Sequence, residues 1–294
     1  MEVLVTGGTG FVGQHLCEVL HDRGHDVTAM SRDQDDNAVP DEVNTVEGDV
    51  TDRDSIDETV EGQDAVVHLV ALSPLYEPTG EKGHQEIHVG GTETIIASME
   101  NYQVDHLVHM SALGADPTGP TAYIRAKGQA ERAVQESGPD WVIFRPSIIF
   151  GDGDELRPFT KKLTTPYITG LPGGGDTPFQ LIWVRDIAPM LAEAVSDNEH
   201  LGERYEIGGP EVLTLADVTK LIYRAEGKSV RIIPIPMPLV GLGLSIAAVI
   251  TFIPFGTDQY RALKFDNTVS ENDIDALDTE TDDLLTLDIY LDAD

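Results

Sequence analysis

The stretch from Val3 to Leu20, VLVTGGTGFVGQHLCEVL, constrains this chain more than any other. A β-branched run leads straight into three glycines spaced GxxGxxG and then into an amphipathic helical pattern. Gly7 allows the tight turn, Gly10 lets the backbone approach an anion, and Gly13 lets helix and strand pack closely. The first helical amides, those of Phe11 and Val12 among them, then face the anion from the positive end of the helix. A glycine turn by itself is weak evidence. Flanked by a strand before and a helix after, it points to the pyrophosphate of a dinucleotide.

The rest of the chain extends that start into a parallel sheet. Strand-like runs at Glu2 to Thr6, Asp26 to Met30, Ala65 to Val70, His106 to Ser111 and Trp141 to Arg145 alternate with helical patterns. The helical patterns cover Gly13 to Arg23, Glu86 to Tyr102 and Thr121 to Ser137, with Gly24 as a left-handed cap on the first. The runs DAVVHLV and DWVIFRP are almost continuously apolar, as strands buried on both faces must be. The fold class is therefore α/β, a doubly wound parallel sheet of Rossmann type with a smaller C-terminal substrate lobe. The expected division is 1–150 for the dinucleotide domain, its sheet completed by 181–209, and 151–294 for the smaller lobe. GDGDELRPF and TGLPGGGDTPFQ read as loops, and LIWVRDIAPMLAEAV resumes with a strand and a helix.

Cofactor preference turns on the tip of the second strand, which reads Met30, Ser31, Arg32. NAD-type sites usually place an acid there on the ribose hydroxyls. An arginine fork beside a serine suits a 2′-phosphate instead, so NADP(H) is favoured over NAD(H), with Asp33 as the residue that would restore NAD.

Composition excludes some partners. Against 52 Asp and Glu stand 19 Lys and Arg, a formal charge of −33, so nucleic acid would be repelled. Because the acids are spread along the chain, the excess reads as a surface kept soluble in concentrated salt, as in a halophile, rather than as one patch for a basic partner. The single cysteine, Cys17, reads as a small core residue in a reducing compartment. With a strand-like N-terminus in place of a signal peptide, the expected location is cytoplasmic.

Two later segments stand apart. From Ile232 to Thr257 no residue is charged, and Leu239 to Ile253 is also free of proline. A helix there would be about 22 Å long, short of a hydrocarbon core of about 30 Å. It reads as a helix buried in the small lobe or over the substrate pocket; the alternatives are contact with a membrane surface or with a protein complex. No Lys or Arg follows Lys264, and the acidic end, with its recurring Leu and Ile, is expected to dock as a short helix.

TGGTGFVG, EGDVTD, VVHLVA, YIRAK, FRPSIIFG, WVRDIA and YEIGG occur in the order found in extended short-chain dehydrogenases/reductases, the NAD-dependent epimerase/dehydratase superfamily. The chain resembles that superfamily to about Pro210. HMSALGADP, YIRAKGQAE, RPSIIFG and DQYRALKFDN look most like its atypical group around the NADPH-binding accessory subunit of respiratory complex I. The resemblance implies that Asp49 and Val50 contact adenine, that Ala71 lies beside the cofactor, and that Pro146 lines the nicotinamide side. On propensity alone, Asp49 is a turn acid and Pro146 a strand terminator. Such relatives often dimerise through the helices that here cover Glu86 to Tyr102 and Thr121 to Ser137.

Tyr123 and Lys127, four apart on a helical pattern, share one face and form a YxxxK pair. A phenol is a poor base at neutral pH, but an ammonium and a nicotinamide cation beside it favour the phenolate. Tyr123 then exchanges a proton with a substrate hydroxyl, and Lys127 also holds the nicotinamide ribose. The departure is upstream, where the family usually carries Ser or Thr and this chain has Ala112. Ser111 substitutes only if the strand ends or twists there, because adjacent strand residues face opposite ways. Losing that donor would cost a factor of about 100 in rate.

His84 and His88 are also four apart, but without a third ligand no metal site is expected. His68, His106 and His109 fall in or beside buried strands, where hydrogen-bonded core histidines are the simpler account. GGGD at Gly173 to Asp176 reads as a lobe loop.

Two classes of function follow. One is an NADP-dependent oxidoreductase acting on an apolar hydroxyl, carbonyl or quinone-like ligand. The other is a non-catalytic NADPH-binding subunit or assembly factor of a respiratory-type complex, which Ala112 favours. Arg157, Lys161 and Lys162 keep a nucleotide-sugar epimerase or dehydratase open as a third, since sugar-nucleotide phosphates need cations.

Overall fold

The computed structural model describes residues 1–32, 38–74, 82–236 and 265–293. Asp33 and the Leu239 to Ile253 segment lie outside them.

Seven parallel strands form the central sheet: β1 (Glu2–Thr6), β2 (Asp26–Ser31), β3 (Asn44–Glu47), β4 (Ala65–His68), β5 (His106–Met110), β6 (Asp140–Pro146) and β11 (Arg204–Ile207). Their order is β11-β6-β5-β4-β1-β2-β3, so the chain reverses direction across the sheet between β1 and β4. In open α/β sheets such a switch point opens a crevice beyond the carboxyl ends of the strands.

Period-two alternation builds a core on each face. Val3, Val5, Val67 and Val108 pack with Leu16 and Leu20 of α1 (Phe11–Asp22) and with Met190 and Leu191 of α6 (Val184–Ser196). Leu4, Val66, Leu107 and Ile143 pack on the other side. Their partners there are Ile56 of α2 (Arg53–Val60), Ile95 and Met99 of α3 (Gly91–Tyr102) and Val134 of α4 (Ala122–Gln135). Each such side chain, withdrawn from water, contributes about 1.5–3 kcal/mol.

Several details differ from the sequence reading. β3 and α2 do not appear in its rhythm: three of the four residues from Asn44 to Glu47 are polar, and α2 carries three acids among its eight residues. The Asp52 side chain caps α2 by accepting from the Asp54 amide at 3.2 Å. The expected helix from Glu86 begins instead with a π turn, Gln85–Gly90, which passes directly into α3. GDGDELRPF is only partly loop, since α5 (Leu156–Leu163) starts inside it. TGLPGGGDTPFQ opens with the last four residues of β8 (Tyr167–Pro172), which pairs in parallel with β13 (Val230–Ile235). Gly24 does terminate α1 in the left-handed region, at φ +84°.

The smaller lobe is assembled from two-stranded pairs, β7 (Ile149–Phe150) with β10 (Ile182–Trp183), β9 (Pro178–Phe179) with β12 (Leu213–Thr214) and β8 with β13, around α5 and α7 (Leu215–Ala225), with Leu156, Val218 and Ile222 in its core. The acidic C-terminal stretch straps the lobe to the sheet. Ile274, Leu277 and Leu284 enter the main core, and Leu287 and Leu291 of the terminal helix, Leu287–Ala293, enter the lobe core. Asn272 Nδ2 donates to the Gly208 carbonyl at 2.8 Å, and the Glu206 amide donates to Asp273 at 2.7 Å. Among the described residues, no helix is long and apolar enough to cross a membrane.

Candidate functional site

A cavity of about 740 Å³ lies at the switch point and runs from the glycine loop to the small lobe. Gly7, Gly10, Phe11, Val12, Gly13, Ser31, Arg32, Asp49, Val50, Ala71, Ser111, Tyr123, Lys127 and Pro146 all line it. Residues singled out across 140 positions of sequence, from Gly7 to Pro146, thus share one wall.

The loop end is shaped by backbone. Gly7 sits at φ +77°, and the amides of Gly7 and Gly8 donate to the Met30 carbonyl at 2.7 and 3.1 Å, fixing the loop against β2. A Cβ on Gly13 would come within 2.1 Å of the Gly7 carbonyl oxygen and 2.7 Å of Gly8 Cα. Gly10 caps α1 without a side-chain bond, so the first-turn amides of the helix are left for an anion. A dinucleotide pyrophosphate fits this cradle.

At the adenine end, Ser31 closes β2 and Arg32 follows it, exposed at the rim. Asp49 is more engaged than a turn acid. Its Oδ1 accepts from the Thr51 amide at 2.9 Å and the Thr51 hydroxyl at 2.7 Å, and its Oδ2 accepts from Lys82 Nζ at 2.9 Å. Burial alone would raise the carboxyl, but the Lys82 and Thr51 bonds outweigh it and bring the pKa down to about 2. Nothing in the sequence singles out Lys82.

The middle of the cavity is organised by α4. Thr121 caps it, accepting from the Ile124 amide at 3.2 Å, and this sets the face that carries Tyr123 and Lys127. Lys127 is 1% exposed and donates to the Met110 carbonyl at 2.8 Å. Burial lowers its pKa from 10.5 to about 8, against the raising effect of Glu131 one turn on. Glu131 is itself paired bidentately with Arg145, at 2.8 and 2.6 Å, and Arg145 also reaches Glu206. Burial raises the Tyr123 phenol above its usual value, so the neutral form holds until a cation comes close.

The strand question is resolved at Met110, where β5 ends. Ser111 is therefore free of strict alternation, and both it and Ala112 line the cavity. The Ser111 hydroxyl is buried and has no hydrogen-bond partner among the described residues. It is thus a donor available to a cavity ligand.

The far half of the cavity is largely apolar, with Ser147, Glu155 and Thr160 as polar members. Leu72, Ile148, Leu156, Phe159, Phe179 and Phe265 line it, with Asn267 reaching in from the strap. Sequence reasoning missed Phe265 and Asn267, because the strap's return path is a tertiary feature. Of the cations proposed for a sugar nucleotide, Arg157, Lys161 and Lys162, none lines the cavity. Lys161 is paired with Glu226, and Arg157 lies over the Tyr290 ring, 5.8 Å from its centroid.

The histidine expectations are met only in part. His68 Nδ1 bonds the Thr6 hydroxyl at 2.7 Å and His106 has a backbone partner at Ala194, but neither ring nitrogen of His109 finds one among the described residues. His84 and His88 contact each other at 3.3 Å and flank Tyr123 edge-on, at centroid distances of 5.6 and 5.4 Å. Among the described residues, no group of three or more His, Cys, Asp or Glu is placed to hold a metal. Cys17 is buried with its thiol pushed up to about 12, an inert core residue.

The profile of the NAD(P)H-binding family matches residues 7–197, about two thirds of the chain. The chain belongs to that family. Among its relatives is the Arabidopsis thaliana mitochondrial NADH dehydrogenase [ubiquinone] 1 alpha subcomplex subunit 9, 28% identical over 91% of this chain and 71% of the relative. A 3 beta-hydroxysteroid dehydrogenase/Delta 5-->4-isomerase of Mycobacterium tuberculosis is 28% identical over 77% of this chain and 70% of its own length. The fold matches the crystal structure of a nucleoside-diphosphate-sugar epimerase from Staphylococcus aureus. The TM-score is 0.74 at 20% identity, covering 99% of this chain and 100% of that one. The protein is thus an NAD(P)H-binding protein whose fold is that of the sugar-nucleotide epimerase.

Proposed function

We propose that this protein is an NADP(H)-dependent oxidoreductase acting on an apolar hydroxyl, carbonyl or quinone-like compound. The observation that carries the reading is the placement of Tyr123 and Lys127 on one face of α4, between the glycine cradle and an apolar half-cavity. Bound in that cradle, the nicotinamide supplies or accepts a hydride. Gly7, Gly10, Phe11, Val12 and Gly13 hold the pyrophosphate; Asp49, Val50 and Ala71 flank the adenine half; Pro146 lines the nicotinamide side. Ser31 and Arg32 receive the 2′-phosphate. Lys127 positions the ribose and lowers the cost of a phenolate on Tyr123, which exchanges the proton with the substrate oxygen. Ser111 donates to that oxygen in place of the missing Ser or Thr at Ala112.

Arg32 and Lys127 are the only Lys or Arg side chains on the described cavity wall, which disfavours a sugar diphosphate beyond the cofactor. The acid excess is read as a solubilising surface for a cytoplasmic protein working at high salt. A second reading is a non-catalytic NADPH-binding subunit of a respiratory-type complex, held at a membrane or partner through 239–253. Ala112 and the similarity to the Arabidopsis subunit favour it.

Calorimetry in molar KCl with NADPH and NADH, followed by cofactor oxidation against a panel of quinones and carbonyl compounds, separates the two. Tight NADPH binding with turnover supports the enzyme. Tight binding with no oxidation by any compound of the panel supports the subunit, and no binding removes both.

A further inference from the structure

Behind Tyr123 and Lys127 lies a layer of imidazoles that the reading above does not use. Thr6, His68 and His109 stand side by side in register on β1, β4 and β5. By alternation they share the face of Leu4, Val66 and Leu107, the face that α3 and α4 cover. The His68 and His109 rings are 5.5 Å apart between centroids. His88 enters the layer from the π turn, a backbone device that recurs at functional sites.

Hydrogen-bond accounting exposes a deficit. His68, His88 and His109 are 1%, 2% and 2% exposed. His88 Nε2 accepts from the Leu72 amide at 3.3 Å, so in the neutral ring the proton sits on Nδ1. That Nδ1, the Nε2 of His68 and both nitrogens of His109 have no partner among the described residues. Leaving four buried polar atoms of one layer unpaired would cost about 1–3 kcal/mol each. Buried water, which bridges two to four polar groups, removes that cost.

We propose that His109, His88 and His84, bridged by internal water, form a proton path that serves the Tyr123 and Lys127 pair and opens at the cavity wall. The catalytic part of this rests on the oxidoreductase reading. His68, fixed by Thr6, orients His109, and His84, half-buried on the cavity wall, links His88 to the mouth. The charged and titratable groups facing the layer are Lys127, Tyr123 and, one turn along α4, Glu131. Burial first, then the Lys127 charge, hold His68 at about 3 and keep His88 well below its usual value, and burial, then His68 and Lys127, do the same for His109. Neutral rings carry a proton by accepting at one nitrogen while releasing from the other. When Tyr123 gives its proton to a substrate oxygen, Lys127 returns one to the phenolate. The amine left on Lys127 takes its replacement through the layer from solvent at His84.

The test uses the full chain labelled with 15N-histidine, with and without NADPH. The expected result is neutral rings from pH 6 to 9, water cross-peaks to the ring N–H protons of His88 and His109, and solvent exchange slowed at least tenfold in His84→Leu. Absence of the water contacts, or exchange unchanged in His84→Leu, overturns the path. A second arm follows NADPH oxidation by menadione. His88→Phe is expected to lower kcat about tenfold, raise the solvent deuterium isotope effect and leave KM unchanged. An unchanged kcat and isotope effect in a folded His88→Phe protein overturns the catalytic role. If the wild type oxidises no NADPH, the oxidoreductase reading fails by itself, and the exchange measurement still decides the path.

Discussion

The Lys127 ammonium is bonded at 2.8 Å to the carbonyl of Met110, so the last residue of β5 and the second turn of α4 meet through a buried charge. That charge is costly. With its pKa brought from 10.5 to about 8 by burial, the folded protein binds fewer protons than the unfolded chain between those values. Stability therefore rises with pH through that window, and at pH 7 the penalty is about 3 kcal/mol. Lys127→Met removes the penalty and loses one hydrogen bond worth about 1 kcal/mol. Cofactor-free Lys127→Met is expected to gain about 2 kcal/mol in chemical denaturation at pH 7. That gain should disappear near pH 11, and NADPH affinity should fall at least tenfold.

Tyr123→Phe keeps the ring between His84 and His88 and removes only the proton. Stopped-flow NADPH oxidation is expected to slow by about 10² to 10⁴ while calorimetric affinity stays within twofold. Unchanged turnover would remove Tyr123 from the chemistry.

Gly13→Ala places a methyl against the Gly7 carbonyl, backbone that cannot yield without opening the loop. NADPH binding should be lost in a protein destabilised by about 1–3 kcal/mol, read by calorimetry and thermal unfolding. Retained affinity would mean that the cradle is not the pyrophosphate site.

Arg32→Ala tests the cofactor choice. Loss of a guanidinium from a 2′-phosphate should weaken NADPH by at least tenfold and leave NADH unchanged. Equal effects on the two would assign Arg32 to the general field instead.

The Glu131 and Arg145 pair ties α4 to β6, and both side chains are largely buried, at 3% and 12% exposure. Glu131→Gln leaves the guanidinium short of a countercharge and should destabilise by about 3 kcal/mol in urea titration. That loss should change little between low and molar salt, since buried pairs are weakly screened.

The parallel sheet, the glycine cradle and the positions of Tyr123 and Lys127 were all legible in the sequence, because each rests on local rules: alternation, helical spacing and the steric needs of a turn. Legibility failed where polar residues form regular structure under tertiary cover. β3 and α2 are too polar to announce themselves, and β8 holds its place by pairing with β13 about sixty residues later.

The sequence by itself determined a dinucleotide fold, since strand, GxxGxxG and helix admit few alternatives. It also determined that Tyr123 and Lys127 share a face. Only the tertiary structure decided that β5 stops at Met110 and turns Ser111 into the cavity, that Arg157 and Lys161 are committed elsewhere, and that the acidic end returns to place Asn267 at the cavity. The same holds for the imidazole layer. His68 and His109 look alike as core residues in the sequence, and their hydrogen-bond deficit exists only because strand register and the π turn bring them together with His88 out of reach of bulk water. Local preference is written residue by residue, whereas pairing between distant segments depends on which surfaces remain to be buried once the sheet has closed.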